Sequence, residues 1–244
     1  MDYIIRYMRT LIIIPTYNEI DNVEKIINSV LNQSAEIEIL IIDDNSPDKT
    51  ALKVKEMMAL NKRIQMIERP GKMGLGTAYV TGFKYAIEKN YDFVFEMDAD
   101  FSHDPSDVNR FLKEIEKNDL VIGSRYSDGV SVVNWPMKRL LLSYFANIYA
   151  KIVTGVPVDD LTGGFKCYRV SFLKNIDLSR IKSDGYAFQI EIDVKIFKKK
   201  GRVSEIPIIF RDRVDGYSKM NKKIIWEAFW LVWRLRLLSL FKRL

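Results

Sequence analysis

One cysteine and one histidine are present in this 244-residue chain, so chemistry built on thiol or imidazole clusters has almost nothing to work with. Cys167 alone excludes an internal disulfide framework and fits a reducing compartment as a packing residue. His103 has no second histidine with which to build a zinc site. No run of 18 uncharged apolar residues occurs, because the tail "IIWEAFWLVWRLRLLSLFKRL" is broken by Glu227, Arg234 and Arg236; this argues against a membrane span. The start, "MDYIIRYMRTLIIIPTYNE", lacks the charged n-region, long apolar stretch and small-residue cleavage site of a signal peptide, so a cytosolic chain is expected. Repeats and linkers are also missing.

What remains is a chain with 48% hydrophobic residues, enough for a sizeable core in one large domain. Its formal charge of +6 suits an anionic partner: nucleic acid, an anionic lipid surface or a phosphorylated substrate. The first half alternates short apolar runs with amphipathic segments: "TLIIIP" then "EIDNVEKIINSVLNQ", "EIEILIIDD" then "DKTALKVKEMMAL", "RIQMIE" then "GLGTAYVTGFKYAIEK", "DFVFEMDAD" then "PSDVNRFLKEIEK". Strand followed by helix, repeated, predicts an α/β fold with right-handed crossovers and a largely parallel sheet covered on both faces. Ligands of such sheets collect at the carboxyl ends of the strands, which here read "PTYNE", "DDNSPD", "RPGKMGLG" and "DADFSH". After "DLVIGSRY" the pattern changes to a helix-like "PMKRLLLSYFANIYAKIVTG", a loop "VDDLTGGF", a helix-like "GYAFQIEIDVKIFKKKG", a strand "VSEIPIIF" and a basic loop "RDRVDGYSK".

The strand ends carry the chemistry. Asp98 and Asp100, two apart, would present their carboxylates on one side of a strand where it gives out. Their mutual repulsion is relieved by a hard divalent cation such as Mg²⁺ or Mn²⁺. Asp43 and Asp44 are adjacent, so one can reach a ligand while the other braces the loop or caps the next helix. Glycines at 71, 74 and 76 precede a helical segment and permit close approach to a phosphate, or a tight turn, without forming a Walker A loop or a full G-x-G-x-x-G fingerprint. Arg125, Arg211, Arg213 and Lys219 are loop cations able to neutralise a departing diphosphate, or simply to be solvated. His103 reads as a loop-packing or outer residue of the acidic site, because hard cations favour oxygen.

Taken in order, "IIIPTYNE", "IIDDNSPDKT", "MDADFSHDP", "VIGSRY", "NWPMKRLLLSYFANIYAK", "DLTGGFKCYR", "SDGYAFQIE" and "EIPIIFRDRVDGYSKM" resemble the inverting family 2 glycosyltransferases of the GT-A fold. Within these, the motifs resemble the dolichyl- or polyprenyl-phosphate mannose synthases over nearly the whole chain. The resemblance implies that Pro15, Tyr17 and Glu19 line a nucleotide pocket with Ile41 and Asp43 beside the base or ribose. It places Asp98, Ala99 and Asp100 at a metal-bound diphosphate. The position two beyond Asp100 supplies an amide ligand in some relatives and is Ser102 here, where a hydroxyl or a bound water would fill that place. Arg125, Arg213 and Lys219 match cations around the donor and acceptor phosphates, and Asp160 matches a position near the acceptor with an orienting role.

The implied reaction transfers mannose from GDP-mannose to dolichyl or polyprenyl phosphate, with Mg²⁺ or Mn²⁺ as cofactor. A phosphate monoester has a second pKa of about 6, so the acceptor is already largely a dianion near neutrality and needs no general base. The resemblance also implies a catalytic domain over residues 1–220 and an amphipathic helical tail over 221–244. Trp226, Trp230 and Trp233 recur on one helical face of that tail, which is expected to lie on the cytoplasmic membrane surface rather than finish the core. The lipid could also be reached through "NWPMKRLLLSYF" or a separate membrane-anchoring subunit. Other readings are a family 2 enzyme using UDP-glucose or another nucleotide sugar, and a basic membrane-binding module without activity. Acidic strand ends argue against nucleic acid as the partner.

Overall fold

The computed structural model describes residues 8–212 and 222–240, with the side chains of the last helix described from 229 to 239. In chain order, β1 (Thr10–Thr16), α1 (Val23–Leu31), β2 (Ile37–Asp43), α2 (Thr50–Leu60), β3 (Ile64–Glu68), α3 (Leu75–Glu88), β4 (Phe93–Glu96), α4 (Val108–Ile115) and β5 (Leu120–Ser124) follow the alternation expected from sequence. Next come β6 (Val132–Val133), α5 (Met137–Thr154), β7 (Lys166–Arg169), α6 (Val170–Leu173), α7 (Gly185–Lys198), β8 (Val203–Pro207), β9 (Phe210–Arg211) and α8 (Lys222–Leu240).

The main sheet runs β3-β2-β1-β4-β7-β5-β8, parallel except for β7, which pairs antiparallel with both β4 and β5. Strand alternation divides the core. Leu11, Ile13, Leu40, Ile42 and Val94 face α3 and α7, whereas Ile12, Ile14, Ile39, Ile41, Phe93 and Phe95 face α1 and α4. Because both faces are covered, β1 and β2 read as unbroken apolar runs. Helix α3 approaches β1 so closely that a Cβ on Gly82 would lie 2.4 Å from Ile13 Cδ1.

Two expectations are corrected, and one strand goes beyond them. "VSEIPIIF" is two strands rather than one, with β9 leaving the main sheet to pair with β6. Strand β7 was not legible, because its inward Lys166 looks like a surface residue until Asp193 of α7 is placed 2.8 Å from its Nζ. The tail helix does take part in the core: Val232 and Leu235 are buried in the cluster beneath α7, and the Phe229 ring stacks on Tyr149 of α5. Its other side leaves Trp230 and Trp233 64% and 45% exposed, while the Trp226 side chain lies outside the described residues.

Candidate active site

The carboxyl ends of the parallel strands surround a cavity of about 380 Å³, closed on the far side by α7 and the start of α5. From the end of β1 come Pro15, Tyr17 and Glu19, all on the cavity wall. Tyr17 is a partly exposed ring with the Lys72 ammonium 4.7 Å from its centroid, forming a flat cationic face at the cavity rim.

At the end of β2 the two aspartates divide their work by strand alternation. Asp43 is fully buried and accepts hydrogen bonds from Thr16 Oγ1 at 2.8 Å, Ser46 N at 2.9 Å and Ser46 Oγ at 2.7 Å. It braces the loop to β1 and is not on the cavity wall; Ile41 is likewise core. Asp44 is the one that reaches the cavity, where Arg69 Nε donates to it at 2.5 Å. The glycines after β3 do not leave a helix N-terminus open for phosphate. Gly76 N donates to Asp184 Oδ1 at 2.7 Å, and a Cβ on Gly74, whose φ is +95°, would meet that carboxylate at 2.6 Å. An internal carboxylate thus sits at the start of α3 and ties it to the loop before α7.

Beyond β4 the premise of a strand carrying both acids is corrected: β4 stops at Glu96, and Asp98, Ala99 and Asp100 lie in a turn in which Phe101 takes φ 59°. The turn still brings Asp98, Asp100 and Ser102 to one wall of the cavity. Asp98 Oδ1 accepts from Tyr79 Oη at 3.4 Å, and Asp100 Oδ1 accepts from Ser102 N at 3.0 Å. Asp98 N donates to His103 Nδ1 at 3.1 Å, which leaves the ring proton on Nε2, and burial pushes the imidazole pKa down. His103 is therefore a neutral brace, stacked on Phe165.

Ser102 Oγ is buried and has no hydrogen-bond partner among the described residues. Together with the two carboxylates it makes an all-oxygen donor set, which suits Mg²⁺ or Mn²⁺. Among the described residues no three His, Cys, Asp or Glu side chains are arranged so as to hold a metal ion between them. An ion here would therefore keep several positions for water and diphosphate oxygens, as Mg²⁺ commonly does.

Opposite, Arg125 lines the cavity with its guanidinium almost wholly buried. Asp160 holds it through Arg125 N at 2.9 Å, Nε at 2.7 Å and Nη2 at 2.6 Å. Burial alone would raise the Asp160 pKa, but the guanidinium outweighs it and holds the carboxyl below the usual range. Asp160 is absent from the cavity wall, so its contact is with Arg125 rather than with a ligand. Arg213 and Lys219 lie outside the described residues. Cavity residues that sequence reasoning passed over include Lys72, Thr162, Gln189 and Arg139, whereas Asp44 was named only as the alternative to Asp43. Arg139 sits at the start of α5, pairs with Asp212 at 2.7 Å and lies over the Trp135 ring at 4.0 Å. Only Asp44 carried a signal, as the neighbour of a chosen aspartate; the others are brought in by tertiary structure.

Residues 11–177 match the family model described as Glycosyl transferase family 2. The chain is 42% identical over 232 residues to the polyprenol monophosphomannose synthase of Mycolicibacterium smegmatis, covering 93% of this chain and 88% of that protein. It is 39% identical over 221 residues to the undecaprenyl-phosphate mannosyltransferase of Micrococcus luteus, covering 91% of each. The fold is similar to glucosyl-3-phosphoglycerate synthase from Mycobacterium tuberculosis, solved with Mn²⁺, UDP and glucosyl-3-phosphoglycerate, with a TM-score of 0.63 at 17% identity over 97% of this chain and 80% of that one.

Proposed function

Because the chain belongs to glycosyl transferase family 2, we propose that it transfers mannose from GDP-mannose to the phosphate of a polyprenol, forming polyprenyl-phosphate mannose. The observation that carries this reading is its likeness, over more than nine-tenths of its length, to two mannosyltransferases named for polyprenol or undecaprenyl phosphate.

The cavity's chemistry supports it. Tyr17 and Lys72 offer an aromatic and cationic rim for the nucleotide, and Asp98, Asp100 and Ser102 are the residues that would hold Mg²⁺ or Mn²⁺. That ion, when bound, neutralises the diphosphate leaving group. Arg125, fixed by Asp160, and Arg139 bring positive charge to the other side, where the acceptor phosphate dianion must approach in line. Arg213 and Lys219, which lie outside the described residues, are assigned to the same phosphates by the sequence resemblance alone. The chain needs no strong base for such an acceptor, and its one histidine, buried and neutral, is not asked to be one.

We place the enzyme peripherally on the cytoplasmic face of a membrane. Among the described residues no helix is long and apolar enough to cross one. Helices α5 and α8 nevertheless expose Phe145, Ile152, Trp230, Trp233 and Leu237, with Lys138 and Arg234 also exposed on these helices. Such an amphipathic surface suits an anionic lipid interface, and Arg139 leads from α5 into the cavity.

Labelled GDP-mannose and labelled UDP-glucose, each incubated with a polyprenyl phosphate in Mg²⁺ or Mn²⁺ and in chelator, test the reading by extraction of labelled lipid. Transfer from GDP-mannose that disappears in chelator is expected. Equal or better transfer from UDP-glucose would replace the donor, and full activity in chelator would remove the metal.

A further inference from the structure

Gln189, on α7, is 2% exposed, and that remnant lies on the cavity wall. Its Nε2 donates to Glu96 Oε2 at 2.6 Å, while the other Glu96 oxygen accepts from Tyr168 Oη at 2.6 Å. The bond to Glu96 turns the amide so that its oxygen end faces away from that acid. Its Oε1 has no hydrogen-bond partner among the described residues. A buried carbonyl oxygen at a cavity wall is an acceptor that a ligand donor can satisfy.

The position of Gln189 says what kind of donor. In a nucleotide sugar the sugar is joined to the phosphate furthest from the base. With Tyr17 and Lys72 at the nucleotide end and Asp98 and Asp100 at the diphosphate, the sugar falls beyond the acidic turn, toward Thr162, Gly164 and Gln189. This assignment rests on the nucleotide-sugar reading above. An amide oxygen is an acceptor only, so it repels a phosphate and attracts a hydroxyl. The floor beside it is cut back: a Cβ on Gly164 would stand 3.7 Å from His103 Cε1 and 3.8 Å from Gln189 Nε2, an ordinary contact, so the absent methyl leaves room for a ligand rather than relieving a clash.

We propose that Gln189 is a specificity-determining residue for the donor, its Oε1 accepting a hydrogen bond from one hydroxyl of the transferred sugar while Glu96 acts as the positioning residue that holds the amide. A site that pairs a substrate hydroxyl with a buried polar group discriminates strongly against the analogue lacking it.

The test compares kcat/KM for GDP-mannose and its monodeoxy analogues in the wild type and in Gln189→Met. The wild type should lose at least tenfold on one deoxy donor. Gln189→Met should lose a similar factor on GDP-mannose itself, become indifferent to that same deoxygenation, keep the other penalties and bind GDP as before. An unchanged pattern of penalties in the variant overturns the proposal. Should Gln189→Met not fold, Gly164→Ala decides, since it leaves the Gln189–Glu96 bond in place: the ratio of GDP-mannose to GDP affinity should fall at least tenfold, and an unchanged ratio overturns the proposal. UDP-glucose, UDP and deoxyglucose donors are run in parallel. A wild type that uses only UDP-glucose overturns the mannose reading, and Gln189 is then judged by the same criteria on that series.

Discussion

Replacing Asp160 with asparagine changes almost no volume but removes the charge that lets Arg125 be buried. The carboxylate accepts three hydrogen bonds from Arg125, and both side chains are nearly inaccessible, at 4% and 0% exposure. Removing one partner of a buried pair leaves the other charge uncompensated and costs about 3–5 kcal/mol. Asparagine can keep its oxygen toward Arg125 N and Nε, but must then turn its NH₂ toward Nη2, which has Thr162 Oγ1 as its remaining acceptor at 2.7 Å. The lower end, about 3 kcal/mol, is therefore expected. In a chain of this size each kcal/mol moves the midpoint by roughly 2–4 °C, giving a Tm loss of about 6–12 °C. Urea unfolding should show a lower midpoint at unchanged m. Because the Asp160 pKa is depressed in the fold, its contribution is present above the ordinary carboxylate range and lost as pH falls through the folded value. The gap between wild type and variant should accordingly close on acidification. Turnover should fall as well, since Arg125 loses its tether. A variant within 1 kcal/mol of the wild type at neutral pH, or a gap that does not depend on pH, would refute this account of the pair.

Asp100→Asn should abolish mannosyl transfer while the melting temperature in chelator stays within a few degrees of the wild type; substantial turnover by the variant, or the loss of its fold, would reassign the residue. Burial pushes the Glu96 and Asp193 carboxyls up to about 7; Lys166 bonds Asp193 and reaches Glu96 only through its charge, and the two acids raise each other, so the extra proton belongs to the pair. Both pKa values are raised in the fold, so the folded state binds more protons than the unfolded chain between the ordinary carboxylate range and about pH 7, and this contribution falls as pH rises through that window. In chelator, Glu96→Gln should therefore gain on the wild type by up to roughly 1.4 kcal/mol per pH unit between pH 5 and 7, a comparison in which the opposing titration of His103 cancels; parallel stability curves would show that Glu96 is not protonated there. Trp230→Ser with Trp233→Ser should weaken salt-sensitive binding to anionic vesicles with little change in Tm, because both rings are exposed; unchanged sedimentation would move the lipid contact off α8.

Local pattern was enough for much of the architecture. Unbroken runs such as "TLIIIP" and "ILII", each followed by an amphipathic segment, specify buried parallel strands and covering helices, because a strand with both faces enclosed must be apolar throughout. The same pattern put Tyr17, Asp98 and Asp100 at strand ends, where a parallel sheet gathers its ligands, and these three, like the loop cation Arg125, line the cavity. Tertiary structure decided what each carboxylate faces. Asp43 and Asp44 are indistinguishable in sequence, and alternation at the end of β2 sends one to brace a loop and the other to the cavity. Asp160, expected near the acceptor in an orienting role, is the buried partner of Arg125, while Asp184 fills the helix start that the glycines had suggested for phosphate. Lys166 and Gln189 carry no periodic signal at all, since a buried polar side chain is explained only by the distant partner that satisfies it. Here those partners are Asp193 and Glu96, 27 and 93 residues away in the chain.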